Sequence, residues 1–387
     1  MERLNTPEND LEAWCQIRYY QAQHFTFNIA PLLNIEIAMF SYPDLERAYS
    51  DMQTQNELYK PTAFWNDVSS KIVEEIGKQG IERFRSLPLP LSFFVPTYGI
   101  PGGGFNQEQV DGLTQWLKDT FPHAGKAQLA LDQFLTGHIS ALADYRVLLA
   151  SDNPEKLPYL HTFSESDVGS PVERFEFGDR NFSRSALNYL LGLALLKKHL
   201  GGDVPRTVLE IGGGFGSLGE VLSSAHIEGL RYIDIDIPPT SFVAGYYLSE
   251  VLGRNKVATY ADTFDKTSID IMSLPQASVL CSWQIEQLQG QLDLFVNFIS
   301  FQEMEPHIVQ NYLQHVSRLN TRWILLRNMR EGKQLRKADG VGVEKATLGD
   351  DYLHMLPEYE LVERNVFPYG YRTVDNFHSE ILLLRRK

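Results

Sequence analysis

A short apolar segment followed directly by a run of glycines constrains the fold of this chain more than any other feature. Val208, Leu209 and Ile211 have the length of a buried strand, and residues 217–225 carry the apolar spacing of a helix. Between them lie Gly212, Gly213, Gly214 and Gly216. Glycines let the backbone turn tightly, and the free N–H groups at the start of the helix can bind a polar or anionic ligand. The segment therefore predicts an α/β fold with a ligand at this turn.

Two motif frames fit these glycines, and they predict different ligands. Residues 214–219 match Gly-x-Gly-x-x-Gly, the fingerprint of dinucleotide binding, which predicts NAD. The other frame starts at Glu210, an acid inside the end of the strand, and resembles the first motif of class I methyltransferases, which bind S-adenosylmethionine (SAM). A buried acid is costly without a partner. The resemblance implies that the methionine ammonium of SAM, directly or through water, is that partner.

An acid near the tip of the next strand fits a nucleoside ligand. Residues 230–237 read LRYIDIDI, and an acid at the tip of a second strand can accept hydrogen bonds from both ribose hydroxyls. Asp236 follows Gly216 by 20 positions, the separation that this contact requires. We therefore predict that Asp236 binds the ribose. Asp234 has the same side-chain parity and is the alternative. In a further interpretation, one of the two acids simply caps the following helix.

The composition disfavours several classes of partner. The net charge of −14 argues against nonspecific binding to nucleic acid or anionic membranes, because both need a basic surface. Two cysteines are too few for a disulfide framework or a cysteine zinc site, and no ligand spacing calls for a metal. Neither a secretory signal nor an apolar run of about eighteen residues is present, so we expect a cytoplasmic protein without a membrane span.

The first part of the chain is predicted to be a separate helical domain. Helical spacing is present over residues 61–79, 107–120 and 126–149, as well as 9–23. The prolines within residues 87–96 predict that this segment is neither a helix nor a central strand. Residues 151–178 are irregular, and we place the domain junction there. The expected division is a helical extension over 1–164, which helps to form an acceptor pocket, and a second domain over 165–387.

The second domain alternates strands and helices. A helix capped by Ser183 precedes the first strand, a crossover helix covers 240–252, and another helix covers 306–319. Residues 256–260 and 278–283 are two candidates for the third strand. If the third strand is the later candidate, Trp283 and Gln284 would lie beside the adenine of a ligand. If it is the earlier candidate, Asp262 would lie there.

The order of elements predicts an α/β fold with a largely parallel sheet. The chain closes with two strands in succession, over 359–367 and 378–386, which predicts one antiparallel strand at the end of the sheet. This arrangement disfavours a plain dinucleotide fold. It resembles the seven-stranded, Rossmann-like sheet of class I methyltransferases with an antiparallel last strand.

Several segments together resemble one family, the sugar O-methyltransferases, over residues 165–387. The segments are Phe182-Ser-Arg-Ser-Ala-Leu-Asn-Tyr-Leu, Leu209-Glu-Ile-Gly-Gly-Gly-Phe-Gly, Asp236-Ile-Pro, Tyr246-Tyr-Leu, Trp283-Gln-Ile-Glu and Ser300-Phe-Gln-Glu-Met. The resemblance implies a SAM-dependent O-methyltransferase whose acceptor is the hydroxyl of a sugar, a glycan or a nucleotide sugar. The predicted cofactor residues are Glu210, Gly212, Gly213, Gly214, Gly216, Asp236, Trp283, Gln284 and Ser300.

A general base should help a sugar hydroxyl, because this group is a poor nucleophile. In a sheet of this type the acceptor lies beyond the carboxyl end of the fourth strand, where Glu303 follows Ser300. We predict that Glu303 removes or orients the hydroxyl proton; in the alternative it only caps the next helix or pairs with an arginine. Histidine titrates in the right range, so His378 and His307 are further candidates for the base, and His161 is another.

Other interpretations of the acceptor and of the activity stay open. Arg180 and Arg372 could hold an anionic acceptor group such as a diphosphate, or could be ordinary surface residues. The acceptor could instead be a natural product or a small amine. The second glycine frame would fit an NAD-dependent oxidoreductase, and a partner protein could keep the fold without a base. The chain could also form a homo-oligomer.

Overall fold

A mixed β-sheet centred on the strand Thr207–Ile211 forms the middle layer of the protein. The structure is a computed structural model, and it describes residues 42–99, 107–123, 125–336, 342–373 and 375–387. The helix predicted over 9–23 lies outside these residues.

Helices dominate the part of the chain before the sheet. They are α1 (Pro43–Gln53), α2 (Ala63–Gln79), α3 (Pro88–Phe93), α4 (Gln107–Thr120), α5 (Gly125–Leu135) and α6 (His138–Ser151). The predictions for 61–79 and 107–120 are confirmed as α2 and α4. The single helix predicted over 126–149 is divided into α5 and α6, because Gly137 between them adopts a left-handed conformation with φ of 78°.

The short helix α3 contradicts the prediction that prolines exclude a helix from residues 87–96. Pro88 and Pro90 both lie in the first turn of α3. The N–H groups of a first turn have no partner within the helix, so a proline there loses no hydrogen bond. The prolines therefore start this helix and do not break it.

The second part of the chain alternates helices with strands, as predicted. Its helices are α7 (Arg184–Lys197), α8 (Ser217–Ser224), α9 (Thr240–Leu252), α10 (Tyr260–Thr263), α11 (Pro306–Arg318) and α12 (Gly349–Met355). Ser183 caps α7, and its hydroxyl accepts a hydrogen bond from the Ala186 N–H at 3.3 Å. None of the described helices combines the length and the apolar character needed to cross a membrane.

Thirteen strands are described, and nine of them form one sheet. They are β1 (Phe175–Phe177), β2 (Arg180–Phe182), β3 (Thr207–Ile211), β4 (Arg231–Asp236), β5 (Val257–Ala258), β6 (Ile269–Asp270), β7 (Ala277–Cys281), β8 (Leu288–Gln289), β9 (Leu294–Phe298), β10 (Trp323–Met329), β11 (Tyr359–Asn365), β12 (Tyr371–Arg372) and β13 (His378–Arg386). The large sheet has the order β11-β13-β10-β9-β3-β4-β7-β5, with β12 also paired to β13. The pairs β1–β2 and β6–β8 lie apart from it.

Strand directions confirm the predicted mixed sheet. β3, β4, β5, β7, β9 and β10 are parallel, whereas β13 is antiparallel to its neighbours β10, β11 and β12. The sheet has nine strands where seven were expected. One extra strand arises because both candidates for the third strand are present, as β5 and β7, and the other is the two-residue β12.

Apolar residues pack on both faces of the sheet. Val208 belongs to one hydrophobic cluster and its neighbour Leu209 to the other, as the alternation of side chains along a buried strand requires. Leu187 of α7 and Ile72 of α2 lie in the cluster with Val208, and Leu313 of α11 lies in the cluster with Leu209. The N-terminal helices thus share a core with the sheet. The domain division at residues 164 and 165 stays a prediction.

Candidate functional site

A cavity of about 430 Å³ opens at the carboxyl ends of the central strands. Open α/β sheets bind ligands at this edge, where the direction of chain progress along the sheet reverses. Here that point lies at β3, between β4 and β9. The lining residues contributed by the sheet side include Gly212, Gly213, Gly214, Asp236, Ile237, Ser282 and Ser300.

The opposite wall of the cavity comes from the N-terminal region and from α7. Residues before the sheet that line it are Lys60, Thr62, Trp65, Leu91, Ser92, Phe93, Phe94, Pro96 and Thr97, and α7 adds Arg184, Ser185, Asn188 and Tyr189. The indole of Trp65 contacts the ring of Phe93, with ring centroids 5.8 Å apart. The cavity is therefore closed jointly by the two parts of the chain.

The glycine turn brings the backbone itself to the cavity surface. Gly212 and Gly214 have φ values of 69° and 65°, which L side chains rarely adopt. A Cβ at position 212 would collide with the Ser300 hydroxyl, and one at 214 would lie 3.2 Å from the Phe94 carbonyl oxygen. Gly216, with φ of 93°, starts α8. The turn forms a cradle that side chains would fill.

Glu210 lies beneath this turn and does not line the cavity. Its side chain is completely buried, and Oε2 accepts a hydrogen bond from the Tyr232 hydroxyl at 2.6 Å. Oε1 has no hydrogen-bond partner among the described residues. Burial raises the pKa of Glu210 to about 7, and the hydroxyls of Tyr232 and Tyr189 oppose this shift. The acid is thus adjacent to the cradle but incompletely satisfied.

Of the two acids on β4, only Asp236 lines the cavity. Its Oδ2 accepts from the Gly214 N–H at 3.3 Å and its Oδ1 from the Ile237 N–H at 2.7 Å. Burial raises its pKa to about 7, against these two hydrogen bonds. Asp234 is completely buried, accepts from the Gly213 N–H at 3.2 Å, and leaves Oδ2 without a partner among the described residues. The ribose contact of Asp236 stays a prediction, but its position suits that role.

A buried polar network that the sequence analysis missed fixes the residues after β9. The Asn297 amide donates to the Ile211 carbonyl at 2.9 Å and to the Ser300 hydroxyl at 2.6 Å. Ser300 in turn donates to the Ile211 carbonyl at 3.0 Å and lines the cavity. Ile299 between them has φ of 74°, a strained conformation for a β-branched residue. An asparagine inside an apolar strand was the signal that could have revealed this network.

Glu303 lines the cavity beside the wall formed by the N-terminal region, and two donors hold its carboxylate. Its Oε2 accepts from the Trp65 indole N–H at 3.3 Å, and its Oε1 forms an ion pair with Lys333 Nζ at 3.0 Å. Its backbone carbonyl accepts from the Thr62 hydroxyl at 3.1 Å. Glu303 neither caps α11, whose N-cap is Glu305, nor pairs with an arginine. Its contacts therefore differ from both structural alternatives.

The histidines predicted as bases are not among the residues that line the cavity, and their role stays a prediction. His307 is exposed and faces a separate surface depression beside Lys345. The Nδ1 atom of His378 lies 2.6 Å from Oε1 of Glu331. His161 is exposed at the junction. No histidine among the described residues lines the cavity, whereas Ile308, the residue after His307 in the first turn of α11, does line it.

Trp283 and Gln284 follow a lining residue but do not themselves line the cavity, and their contact with an adenine stays a prediction. The Gln284 side chain is buried, accepts from the Cys281 N–H at 2.9 Å and donates to the Thr263 carbonyl at 3.1 Å. Trp283 packs edge-on against Tyr260, with centroids 5.5 Å apart. Ser282, one residue earlier, does line the cavity. The later strand candidate, β7, thus leads to the cavity.

The residues predicted from the remaining alternatives serve other purposes. Asp262 accepts from the Thr259 N–H at 2.8 Å and caps α10. Arg180 donates to the Tyr145 hydroxyl at 3.1 Å, and Arg372 is exposed, so neither lines the cavity. The arginine that does is Arg184, which donates to the Thr97 carbonyl at 2.7 Å.

Solved structures with partial similarity include two methyltransferases and a domain of one further protein. Magnesium protoporphyrin IX methyltransferase (ChlM) from Synechocystis PCC 6803 with bound SAM is 15% identical, with 53% of this chain and 81% of that chain covered and a TM-score of 0.35. The mitomycin 7-O-methyltransferase MmcR is 14% identical, with 86% of this chain and 76% of that chain covered and a TM-score of 0.34. The N-terminal domain of EvdMO1 in the presence of S-adenosylhomocysteine and D-fucose is 12% identical, with 56% of this chain and 91% of that chain covered and a TM-score of 0.35.

Neither protein-family models nor curated proteins match the chain. Similarity at the level of the three solved structures does not identify a ligand or a substrate. The fold assignment stands on the strand order and directions given above. The fold is the Rossmann-like sheet of class I methyltransferases, preceded by a helical region.

Proposed function

We propose that this chain is a SAM-dependent methyltransferase that binds its cofactor at the glycine turn after β3. The observation that carries the proposal is the unpartnered Oε1 of Glu210 directly under that turn. A buried carboxylate needs a partner, and the ammonium of the methionine part of SAM would supply one from the cavity side of the turn, directly or through water. Gly212 and Gly214 line the cavity with their backbone, and a Cβ at either position would meet Ser300 or the Phe94 carbonyl, so the turn stays free of side chains.

The other lining residues fit the remaining parts of this cofactor. Asp236 would accept hydrogen bonds from the ribose hydroxyls, while Ile237, Thr240 and Ser282 would border the adenine. Bound SAM supplies an electrophilic methyl group on a good leaving group. The work of the protein is then mainly to align the acceptor, and Ser300 and Tyr189 border the space between the turn and the opposite wall.

We propose the hydroxyl of a sugar or glycan as the methyl acceptor. Trp65 and Phe93 offer an aromatic wall against which the apolar face of a sugar can pack. Glu303 stands beside that wall as the carboxylate that takes or orients the hydroxyl proton. The indole N–H of Trp65 and the ammonium of Lys333 fix its orientation. The resemblance of the sequence to sugar O-methyltransferases supports the same acceptor class.

Calorimetric titration with S-adenosylhomocysteine (SAH), with NAD as the control, tests the cofactor. We expect SAH to bind and NAD not to bind. Binding of NAD without SAH would overturn the proposal in favour of an oxidoreductase.

A screen for methyl transfer from labelled SAM tests the acceptor. Nucleotide sugars and glycans would be compared with small amines and natural products of similar size. Transfer to a sugar hydroxyl that Glu303→Gln slows would support the acceptor class and the role of Glu303. Transfer only to an amine or a natural product would leave the cofactor assignment intact and overturn the sugar.

A further inference from the structure

Three carboxylates lie together at the glycine turn without a positive partner. Glu210 on β3 is paired in register with Asp234 on β4, and Asp236 lies two residues further on the same face. A Cβ at position 213 would lie 2.6 Å from Oδ1 of Asp234 and 2.7 Å from Oε2 of Glu210. One oxygen of each carboxylate thus lies within 2.7 Å of the same point beside Gly213, and we call Glu210 and Asp234 the carboxylate pair.

Only uncharged groups donate hydrogen bonds to these carboxylates. The donors are the Tyr232 hydroxyl and the backbone N–H groups of Gly213, Gly214 and Ile237, and the Tyr189 hydroxyl also interacts with Glu210. No ion pair between described residues includes Glu210, Asp234 or Asp236. Oε1 of Glu210 and Oδ2 of Asp234 have no partner among the described residues. The ligand-free pair thus has more acceptor capacity than the described residues satisfy.

Two buried carboxylates at this separation cannot both ionise cheaply. Each loses hydration, and the two charges repel each other, so one proton is retained by the pair as a unit. Burial, followed by the charges of Glu210 and Asp236, raises the pKa of Asp234 well above its usual range. Burial likewise raises the pKa of Glu210 to about 7. The direction of both shifts agrees with the geometry.

The surrounding titratable groups do not supply the missing positive charge. Tyr189 of α7 and Tyr232 of β4 face the pair, and burial together with the acids raises their pKa values well above the ordinary range. Both tyrosines therefore stay neutral at neutral pH. Asp236 adds negative charge from β4, and Glu303 adds more beyond Asp236. The proton of the pair is the available positive partner in the ligand-free protein.

We propose that Glu210 and Asp234 share one proton in the ligand-free protein and release it when a ligand with an ammonium group binds at the glycine turn. In this step an O–H bond of the pair breaks, the proton passes to the buffer, and the second carboxylate charge faces the ammonium. The inference rests on the proposed SAM site, since the methionine part of SAM and SAH carries the ammonium. Its consequence is that affinity for SAH rises with pH until the pair is fully ionised.

Calorimetry of the wild-type protein in buffers of different ionisation enthalpy measures the proton release. We expect SAH binding at neutral pH to release a proton, at a stoichiometry that approaches one as the pH falls. We expect SAH affinity to rise by up to about tenfold per pH unit while the pair is protonated. 5′-Methylthioadenosine, which has the nucleoside and the sulfur but no ammonium, is the matched probe and should bind without proton release.

The results separate this inference from the proposed function. SAH binding without proton release, or equal release with 5′-methylthioadenosine, would overturn the shared proton and leave the cofactor assignment standing. Absence of SAH binding would overturn the cofactor assignment and the inference with it.

A variant pair assigns the proton to these residues. Asp234→Asn keeps the shape but removes one ionisable group, so SAH should still bind while proton release falls. Asp262→Asn changes an exposed acid that caps α10 and should leave the release unchanged. Full release from a folded Asp234→Asn protein would overturn the assignment. If that variant does not fold, the comparison of the two ligands on the wild type decides.

Discussion

The cavity has buried acids at two ends, and the two ends differ in how those acids are satisfied. At the end walled by the N-terminal region, Glu303 has an ion pair with Lys333 and a hydrogen bond from Trp65. At the glycine turn, Glu210 and Asp234 have uncharged donors and two unpartnered oxygens. Where the protein supplies the cation, the charge state of the acid is fixed before any ligand binds. An acid left without a cation depends on the ligand for its charge state.

The largest effect is expected where the backbone forms the cradle. Gly214→Val should abolish detectable SAH binding in calorimetry, because a side chain would occupy ligand space next to the Phe94 carbonyl and would be strained at φ of 65°. Gly229→Val is the matched control, since it has φ of 72° but open space around its Cβ position. The control should lose stability, by about 1–3 kcal/mol, and keep its SAH affinity. Unchanged affinity in Gly214→Val would remove the turn from the cofactor site.

The next effect concerns the acid that already has a cation. Glu303→Gln should lower methyl transfer roughly 100-fold or more, because a positioned base contributes about that factor, while SAH affinity stays near that of the wild type. Glu305→Gln, at the N-cap of α11, is the control and should keep its activity. Turnover equal to the wild type in Glu303→Gln would remove Glu303 from the chemistry. A parallel loss of SAH affinity would show that Glu303 also contributes to cofactor binding.

A smaller effect is expected from the acid that borders the turn. Asp236→Ala should weaken SAH binding by roughly 1–3 kcal/mol through the loss of ribose hydrogen bonds, which calorimetry would measure directly. Asp234→Ala is the informative comparison because it shares the side-chain parity but does not line the cavity. If Asp234→Ala had the larger effect on affinity, the ribose contact would belong one pleat earlier on β4.

The smallest effect is the dependence of stability on pH. The pKa of Glu210 is raised to about 7 in the folded protein from 4.5, so between these values the folded state binds more protons than the unfolded state. The free energy of unfolding therefore falls as pH rises through this window, by at most about 1.4 kcal/mol per pH unit for one group.

Chemical denaturation at several pH values measures that slope. Asp236, Glu220 and Glu173, whose pKa values are also raised to about 7, contribute in the same direction, so the difference between wild type and Asp234→Asn isolates the pair. The variant should show a shallower slope. Saturating SAH should stabilise the wild type more at the alkaline end of the window than at the acidic end. Equal stabilisation by SAH at alkaline and acidic pH would mean that the acids at the glycine turn do not depend on the ligand for their charge state.

Local patterns were sufficient for the parts of the fold that depend on neighbouring residues. The strand, glycine turn and helix around Gly212 were predicted because periodicity and backbone requirements act within a few residues. The same holds for α9 and α11, whose predicted and observed bounds nearly coincide. The helix α3 was missed because proline was treated as a breaker, although its position in a first turn makes it compatible with a helix.

The contacts within the candidate site required information that local patterns do not contain. Glu303 was identified as an acid beyond β9, but its partners Trp65 and Lys333 come from distant parts of the chain. His307 was four residues from Glu303, yet it lies in the first turn of α11 and lines a separate surface depression. Ser282 in place of Trp283 shows how a difference of one residue at a strand end decides which side chain faces a ligand.

The close approach of Phe94 to Gly214 has a consequence for building chimeras. The carbonyl oxygen of Phe94 lies 3.2 Å from the position of a Cβ at residue 214, and Thr62 and Trp65 donate hydrogen bonds to Glu303. The wall over the cavity and the sheet beneath it are thus fitted to each other atom by atom. An exchange of residues 42–99 for those of another chain would transfer acceptor preference only if the donor kept the indole, the hydroxyl and the short α3. Acceptor specificity therefore depends on the contacts between the two parts of the chain, and neither part determines it alone.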